Sequence, residues 1–547
     1  MEKKDDLIFD LNLFKHINLT YFFLVIFIIL GVYLRIYHID FPSIGYHNMK
    51  ENEYLDEARF FMTQGDWLHK QAYIYSGLDE GKGYHEEYAE VPYVSYLIAF
   101  SWIILGESIW LPRLFMITFM IGSILLSYFI VKRLTNNEYL SLLSSFLMTI
   151  MPLGIYFGRN IQPESPGMFL MLLTTLLFMR WLDTKDRKQL MYSGFAFSIA
   201  FGLKYTFGII AVPLFFILPF EEIINKFKKN VNEFWKDIRY LFYGVIPGII
   251  TTFIYELTVV DKSKVSYKIE LMRIFDINYW TQRWPSLMSY FNDNYTMWFL
   301  WFAIFGFAFI MFNYKTRFSR FLIGYVFSIF VYVDLMAAKI GGHSYYQMPF
   351  LPLVSILAAY FLYILGTLFS QISKVKFTIF APLLLIVIAL PAMSQANDRV
   401  WATNFYGQDF LGEYLKTMMV PGEQFVAFTH SQDVATCSYA QHRCGFVNNL
   451  SVFKHKEAVY DLRYIYVGVS SFENLMGNSS LWNYIKQNYE IDLVGLMNQN
   501  NQLVPVHFIL KKGGKFNLAD IQQKQVQLAK TYAVKNGEVR YYYISNK

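Results

Sequence analysis

This sequence has little charge for its length and almost no cysteine. Of its 547 residues only 16% are Asp, Glu, Lys or Arg, against about a quarter in an ordinary soluble chain. So few charges cannot solvate the surface of a soluble fold this long, and the 55% hydrophobic and 19% aromatic content points to lipid contact instead. The two cysteines, Cys437 and Cys444, lie seven apart with no flanking His pair, a poor zinc signature. One disulfide in an oxidising compartment, or two free thiols, are the alternatives left. No repeat of fixed period and no low-complexity segment occurs. No small-residue cleavage site follows the first apolar run, which therefore reads as a signal anchor. The formal charge of +6 implies no nucleic-acid partner, because the basic residues sit in short loops between apolar runs.

Long apolar runs are abundant. Ile17 to Tyr37, Leu114 to Val131, Tyr240 to Tyr255, Met297 to Phe312 and Phe377 to Leu390 approach or reach the roughly 20 residues that cross about 30 Å of hydrocarbon as a helix. The fold class expected is a polytopic α-helical membrane protein with a C-terminal soluble mixed α/β domain. By the positive-inside rule the clusters Lys3/Lys4/Lys15, Lys132/Arg133, Arg180/Lys185/Arg187/Lys188, Lys226/Lys228/Lys229/Lys236, Lys315/Arg317/Arg320 and Lys374/Lys376 belong in the cytoplasm. Keeping them on one side requires the short run Val91 to Gly106 to lie at the outer interface instead of crossing. The chain then has about eleven spans, with its N-terminus in the cytoplasm and its C-terminus outside the cell membrane. Residues 1–394 form the expected transmembrane domain, with the first outer loop at 38–112 carrying juxtamembrane helices. Residues 395–547 form the extracytoplasmic domain, where β-rich runs (EQFVAFTH, YIYVGVS, DLVGLM, VPVHFIL, VRYYYI) alternate with helix-compatible segments such as LADIQQKQVQLAK.

Unusual polar residues gather in four segments that this topology turns outward. Between His47 and Glu90 stand ten acidic and four basic residues. Glu51, Glu53, Asp56 and Glu57 fall on a stretch with helical apolar spacing at Tyr54, Leu55, Ala58, Phe61 and Met62, which reads either as a solvated face or as the site of a general base at the membrane surface. Glu90 stands two residues before Pro92 in a second acidic cluster. Arg159 and Glu164 lie five apart across a Pro-punctuated turn at the edge of lipid, where an unpaired charge is costly; they are either an ion pair or a working pair. Lys204 stands alone between two apolar spans and either snorkels or presents a cation to an anionic headgroup. Lys339, His343, Tyr345 and Tyr346 cap the outer end of a later span; an aromatic belt accounts for the tyrosines but not for the histidine and lysine. Cations suit a departing phosphate, and carboxylates suit deprotonation of an acceptor hydroxyl.

In order and side, these motifs resemble the GT-C glycosyltransferases, in the branch of the protein O-mannosyltransferases and the aminoarabinose (lipid A) transferases. The resemblance is carried by Glu51 ahead of Gly65-Asp66-Trp67, by Glu90-Val91-Pro92 with Gly106 and Arg113, by Pro152, Arg159 and Glu164, by Gly202-Leu203-Lys204, and by Tyr346, Pro349 and Pro352. It covers residues 38–220 and 339–366. Two positions depart from it: the usual Asp-Glu pair is Lys50-Glu51, with a literal Asp56-Glu57-Ala58-Arg59 six residues later, and Val91 replaces a lysine.

The resemblance implies transfer of a glycosyl group from a polyprenyl-phosphate sugar to an extracytoplasmic acceptor, whether glycolipid, polysaccharide or protein, by direct inverting displacement. Glu51 would be the base, with Glu53 and Asp56 as alternatives. Lys204, Arg159, His343 and Tyr346 would hold the donor phosphate, and Glu90, Glu164 and Arg113 would shape the sugar and acceptor pockets. No metal is required: Asp-x-Asp spacing is absent, and cationic side chains can neutralise the phosphate, although the outer carboxylates offer oxygen ligands. The competing class is a transporter or flippase of a lipid-linked sugar or anion, which would bury ionisable residues at mid-membrane and show an internal repeat.

Overall fold

The computed structural model describes residues 19–73, 78, 90–259, 273–373, 377–401, 405–429, 435–499, 502–523, 525–534 and 537–545. The basic residues Lys3, Lys4, Lys15, Lys374 and Lys376, and the acidic residues 79–89, lie outside them.

In chain order the principal helices are α1 (Leu19–Ile36), α2 (Asn48–Gln64), α3 (Tyr93–Leu105), α4 (Trp110–Thr135), α5 (Glu138–Ile150), α6 (Glu164–Thr184), α7 (Arg187–Leu203), α8 (Phe220–Lys229), α9 (Val231–Thr258), α10 (Ile277–Met311), α11 (Arg317–Leu335), α12 (Leu351–Ser373) and α13 (Phe377–Trp401). Among the described residues five helical stretches are long and apolar enough to cross a membrane: α4, α6, α9, α11 and Ser344–Ile372, which includes α12. Two bent pairs raise that to seven if each is one span. One of them is α10, bent by 90° at Thr296, whose φ of 58° leaves the helical region. α1, α3 and α5 are shorter apolar helices over the described residues.

Two compact units emerge. The first takes residues 1–39, 113–254 and 266–397; the second takes 40–112, 255–265 and 398–547. In the first, the chain leaving α1 is held by arginines. Arg35, fully buried, donates to the carbonyls of Gly31, Thr149 and Gly154, at 3.0, 3.2 and 2.9 Å. A guanidinium satisfies several carbonyls at once where a helix end would otherwise leave them unpaired in an apolar setting.

The second unit is built on a seven-stranded mixed sheet. Its strands are β1 (Gln424–Phe428), β2 (Arg443–Gly445), β3 (Tyr464–Gly468), β4 (Tyr489–Gln499), β5 (Gln502–Lys512), β6 (Gln525–Val534) and β7 (Gly537–Ser545), ordered β2-β1-β3-β5-β4-β7-β6. β1 runs parallel to β2 and β3, and the other pairs are antiparallel. β3 is buried at every position, as expected of a central strand covered on both faces. The five β-rich runs named above fall on β1, β3, β4, β5 and β7. LADIQQKQVQLAK does not stay helical: a single turn at Asp520–Gln523 gives way to β6, which pairs along β7 from Gln525↔Ser545 to Val534↔Gly537. Ladder bonds from a neighbouring strand outweigh the modest helix preference of Gln, Leu, Ala and Lys. Residues from the first outer loop enter this unit's core, with Leu78 packed among Val426, Phe428 and Ile465, and Ala72 among Leu411, Phe425 and Tyr466. Cys437 and Cys444 form a disulfide that ties the short helix Ala435–Ala440 to β2.

Candidate functional site

In the first unit, the polar residues centre on Lys204, the residue that ends α7 in extended backbone. Its ammonium bonds Glu164 Oε1 at 2.5 Å and lies 4.2 Å from the ring centre of Tyr346 and 4.8 Å from that of Tyr345. Side-chain exposure is 7% for Lys204 and 2% for Glu164, so the pair is removed from water. Glu164 opens α6, where the helix dipole favours a negative charge, and its Oε2 is buried without a hydrogen-bond partner among the described residues.

Tyr345 and Tyr346 are stacked 4.8 Å apart on a 3-10 turn, Ser344–Phe350, and the His343 ring lies 5.6 Å from Tyr345. A 3-10 turn containing Pro349 lacks regular helical bonding. Side chains from α10 and α11 supply the missing donors: Asn294 to Ser344 O (3.0 Å), Tyr332 to Tyr346 O (2.8 Å), Tyr295 to Gln347 O (2.8 Å) and Tyr325 to Pro349 O (2.7 Å). The aromatic surface facing Lys204 is thereby fixed.

Arg159 and Arg113 act on backbone here. Arg159 donates to the carbonyls of Tyr37 and His38, and Arg113 Nη1 donates to Ile39 O at 3.0 Å. Glu164 bonds Lys204, forty residues on, where the turn sequence suggested Arg159 as its ion-pair partner.

In the second unit, α2 is the acidic helix. It ends at Gly65, whose φ of 72° only glycine adopts without strain, and Asp66 then caps the backbone N–H groups of Leu68 and His69. Trp67 stacks on Phe61 and Phe100, so Gly65-Asp66-Trp67 stops α2 and docks it on α3.

The solvated-face reading of α2 is wrong: Glu51, Glu53, Asp56 and Glu57 are all buried, none more than 4% exposed. Each carboxylate has a different neighbourhood. Glu51 Oε2 accepts from Ser43 Oγ (2.8 Å), and Glu53 Oε2 pairs with Lys50 (2.6 Å). Asp56 accepts from Arg59 (2.9 Å), Ser438 (2.5 Å) and the Tyr73 N–H (3.0 Å), which makes it a structural tie between helix and tail. Burial nevertheless pushes its carboxyl up to about 6, against the opposing pull of Arg59, Ser438 and Tyr73. Glu90 contributes its backbone carbonyl, which accepts from Lys70 (3.0 Å).

Sequence reasoning placed Glu57 on the acidic stretch but left it out of the candidate bases. Its Oε2 accepts from Ser95 at 2.5 Å while Oε1 is buried with no hydrogen-bond partner among the described residues. Burial raises its carboxyl to about 7, with Lys70, Ser95 and Lys50 pulling it down and Glu53 adding to the rise. The folded chain therefore binds this proton more tightly than the unfolded chain, whose carboxyl stays near 4.5. The stabilisation is complete below that lower value and is lost as pH climbs through about 7. Glu57→Gln, which imitates the protonated form, is expected to match wild type in thermal unfolding at pH 4 and to exceed it at pH 8 by up to about 3 kcal/mol. Equal unfolding at both pH values would contradict the assignment.

Among the described residues no three His, Cys, Asp or Glu side chains gather closely enough to hold a metal ion.

The model of the family described as dolichyl-phosphate-mannose-protein mannosyltransferase matches residues 89–246, under a third of the chain. No curated protein matches the sequence. Solved structures share the fold at low identity. The oligosaccharyltransferase AglB from Archaeoglobus fulgidus, in complex with an inhibitory peptide and a dolichol-phosphate, aligns at TM-score 0.57 and 10% identity over 89% of this chain and 74% of that one. ArnT from Cupriavidus metallidurans in the apo state aligns at 0.51 and 10% identity, over 90% and 98%. The arabinofuranosyltransferase AftD from Mycobacteria aligns at 0.50 and 10% identity, over 91% of this chain but only 40% of its own. The chain shares its fold with AglB and ArnT.

Proposed function

We propose that this protein is a membrane glycosyltransferase that takes a sugar from a polyprenyl-phosphate donor and attaches it to an extracytoplasmic acceptor. The observation that carries this reading is α2, a helix outside the spans whose four carboxylates are all buried, in a chain with the GT-C fold. Burying four carboxylates is costly unless they are bonded or used.

In the proposed step the acceptor oxygen bonds to the anomeric carbon as the bond from that carbon to the phosphate oxygen breaks. The acceptor proton passes to Glu51, and the electron pair leaves on the lipid phosphate, with inversion at carbon. Glu53 and Asp56 are the other candidates, and the three donors held by Asp56 favour a structural part for it.

Lys204 is the principal cation for the donor phosphate. An ammonium carries three N–H donors, enough to bond a carboxylate and a phosphate oxygen together. Tyr346, His343 and Arg159 complete the phosphate group, Glu164 holds Lys204, and Arg113 and Glu90 shape the sugar and acceptor pockets. The basic clusters support about eleven spans with the tail outside the cell.

The direct test offers radiolabelled polyprenyl-phosphate sugars, one sugar at a time, to membranes containing the protein and its native envelope. Consumption of one donor, with label appearing in a larger acceptor, is expected. Consumption of none would reject the reading and favour transport of a lipid-linked sugar.

A further inference from the structure

A pocket of about 510 Å³ opens in the second unit, away from α2's carboxylates in sequence. It lies where the carboxyl ends of the parallel strands β1, β2 and β3 meet two helices, Val469–Gly477 and Ser479–Asn488. In open α/β sheets that is where ligands bind, and the volume falls within the roughly 300–1,000 Å³ of small-molecule sites.

Its lining has a particular chemistry. Phe428 and Thr429 follow β1, Phe446 and Asn448 follow β2, and Ser471 and Asn474 come from the first helix. None of the described residues that line it is charged. Three polar side chains of this lining are uncommitted among the described residues. Ser471 is only 7% exposed, yet its hydroxyl makes no hydrogen bond among the described residues. The same holds for the side-chain amides of Asn448 and Asn474. Asn478, by contrast, is fully engaged: its amide nitrogen donates to Asn448 O at 2.7 Å and its oxygen accepts from the Leu481 N–H at 3.3 Å. At the rim, Phe446 is 62% exposed and stands edge-on to buried Phe428, at 6.0 Å and 77°. The disulfide at Cys444, two residues before Phe446, anchors the strand from which this rim departs.

We infer that this pocket binds a neutral segment of a glycan. A sugar ring offers apolar C–H groups on its face, which suit an exposed aromatic ring. Its hydroxyls both donate and accept, which suits amides and a serine hydroxyl beside that ring. Identifying that glycan as part of the acceptor rests on the function proposed above; the binding itself does not.

The test uses the full-length protein in detergent and a panel of fluorescent oligosaccharides, neutral ones ending in mannose, galactose or N-acetylglucosamine and acidic ones ending in uronic acid, with no donor present. At least one neutral glycan binds, and Phe446→Ala and Asn474→Ala each weaken it tenfold or more. Both positions are exposed, and matched thermal unfolding of the variants verifies their folding. Absence of binding by every neutral glycan, unchanged affinity in both variants, or displacement of the glycan by a neutral hexapeptide library would overturn the inference. The two readings fail separately: glycan binding without donor consumption removes the transferase and leaves the pocket, and donor consumption without glycan binding does the reverse.

Discussion

Lys204→Ala is expected to destabilise the protein by about 3–5 kcal/mol, the cost of leaving one partner of a buried ion pair uncompensated. The orphaned group is Glu164, 2% exposed, whose second oxygen already has no hydrogen-bond partner among the described residues. The substitution also removes the cation from the faces of Tyr345 and Tyr346. Glu164's place at the start of α6 softens the loss, since the helix end favours a negative charge. The double variant Lys204→Ala/Glu164→Gln separates structure from function. Removing the stranded charge recovers most of the stability, measured by thermal unfolding in detergent, but it does not restore a cation for the donor phosphate. Donor consumption therefore stays low in the refolded double variant. Full recovery of transfer together with stability would reduce Lys204 to a structural residue.

Glu51→Gln is expected to lower transfer by about 10²–10⁴, the usual contribution of a positioned general base. The hydrogen bond from Ser43 Oγ, 2.8 Å from the carboxylate oxygen, is kept by the amide oxygen, and matched thermal unfolding verifies that the variant folds. The measurement is the rate of label transfer at saturating donor, with donor affinity determined separately. A fall in rate with affinity unchanged places Glu51 at the proton. A wild-type rate moves the role along α2, first to Glu57, whose carboxyl is held at about 7 and so is poised to exchange a proton near neutral pH. Asp56→Asn serves as the contrast. With donors from Arg59, Ser438 and Tyr73 around it, its loss moves stability more than chemistry.

The apolar spacing at Tyr54, Leu55, Ala58, Phe61 and Met62 was enough to read α2 as a helix, but not to show that its acidic face is buried. The partners that cover that face are far away in the chain: Ser95 stands 38 residues from Glu57, and Ser438 stands 382 from Asp56. For the same reason the turn suggested Arg159 for Glu164, whereas the structure brings Lys204 to it and directs Arg159 to the carbonyls after α1. β6 was misread because a strand at the edge of a sheet draws its stability from its neighbour, which local propensity does not register.

Hydropathy and the β-rich runs by themselves determined the membrane class and the mixed sheet of the tail, because burial of long apolar runs in lipid and of short β-rich runs in a sheet depends mainly on composition. The order of the polar motifs carried the likeness to the GT-C fold. Only the tertiary structure decided which carboxylates are tied down, which one is raised to about 7, which cation holds Glu164, and that a pocket lies at the ends of β1, β2 and β3. Those properties arise from groups distant in sequence that remove one another from water, and pairings of that kind leave no local periodicity to read.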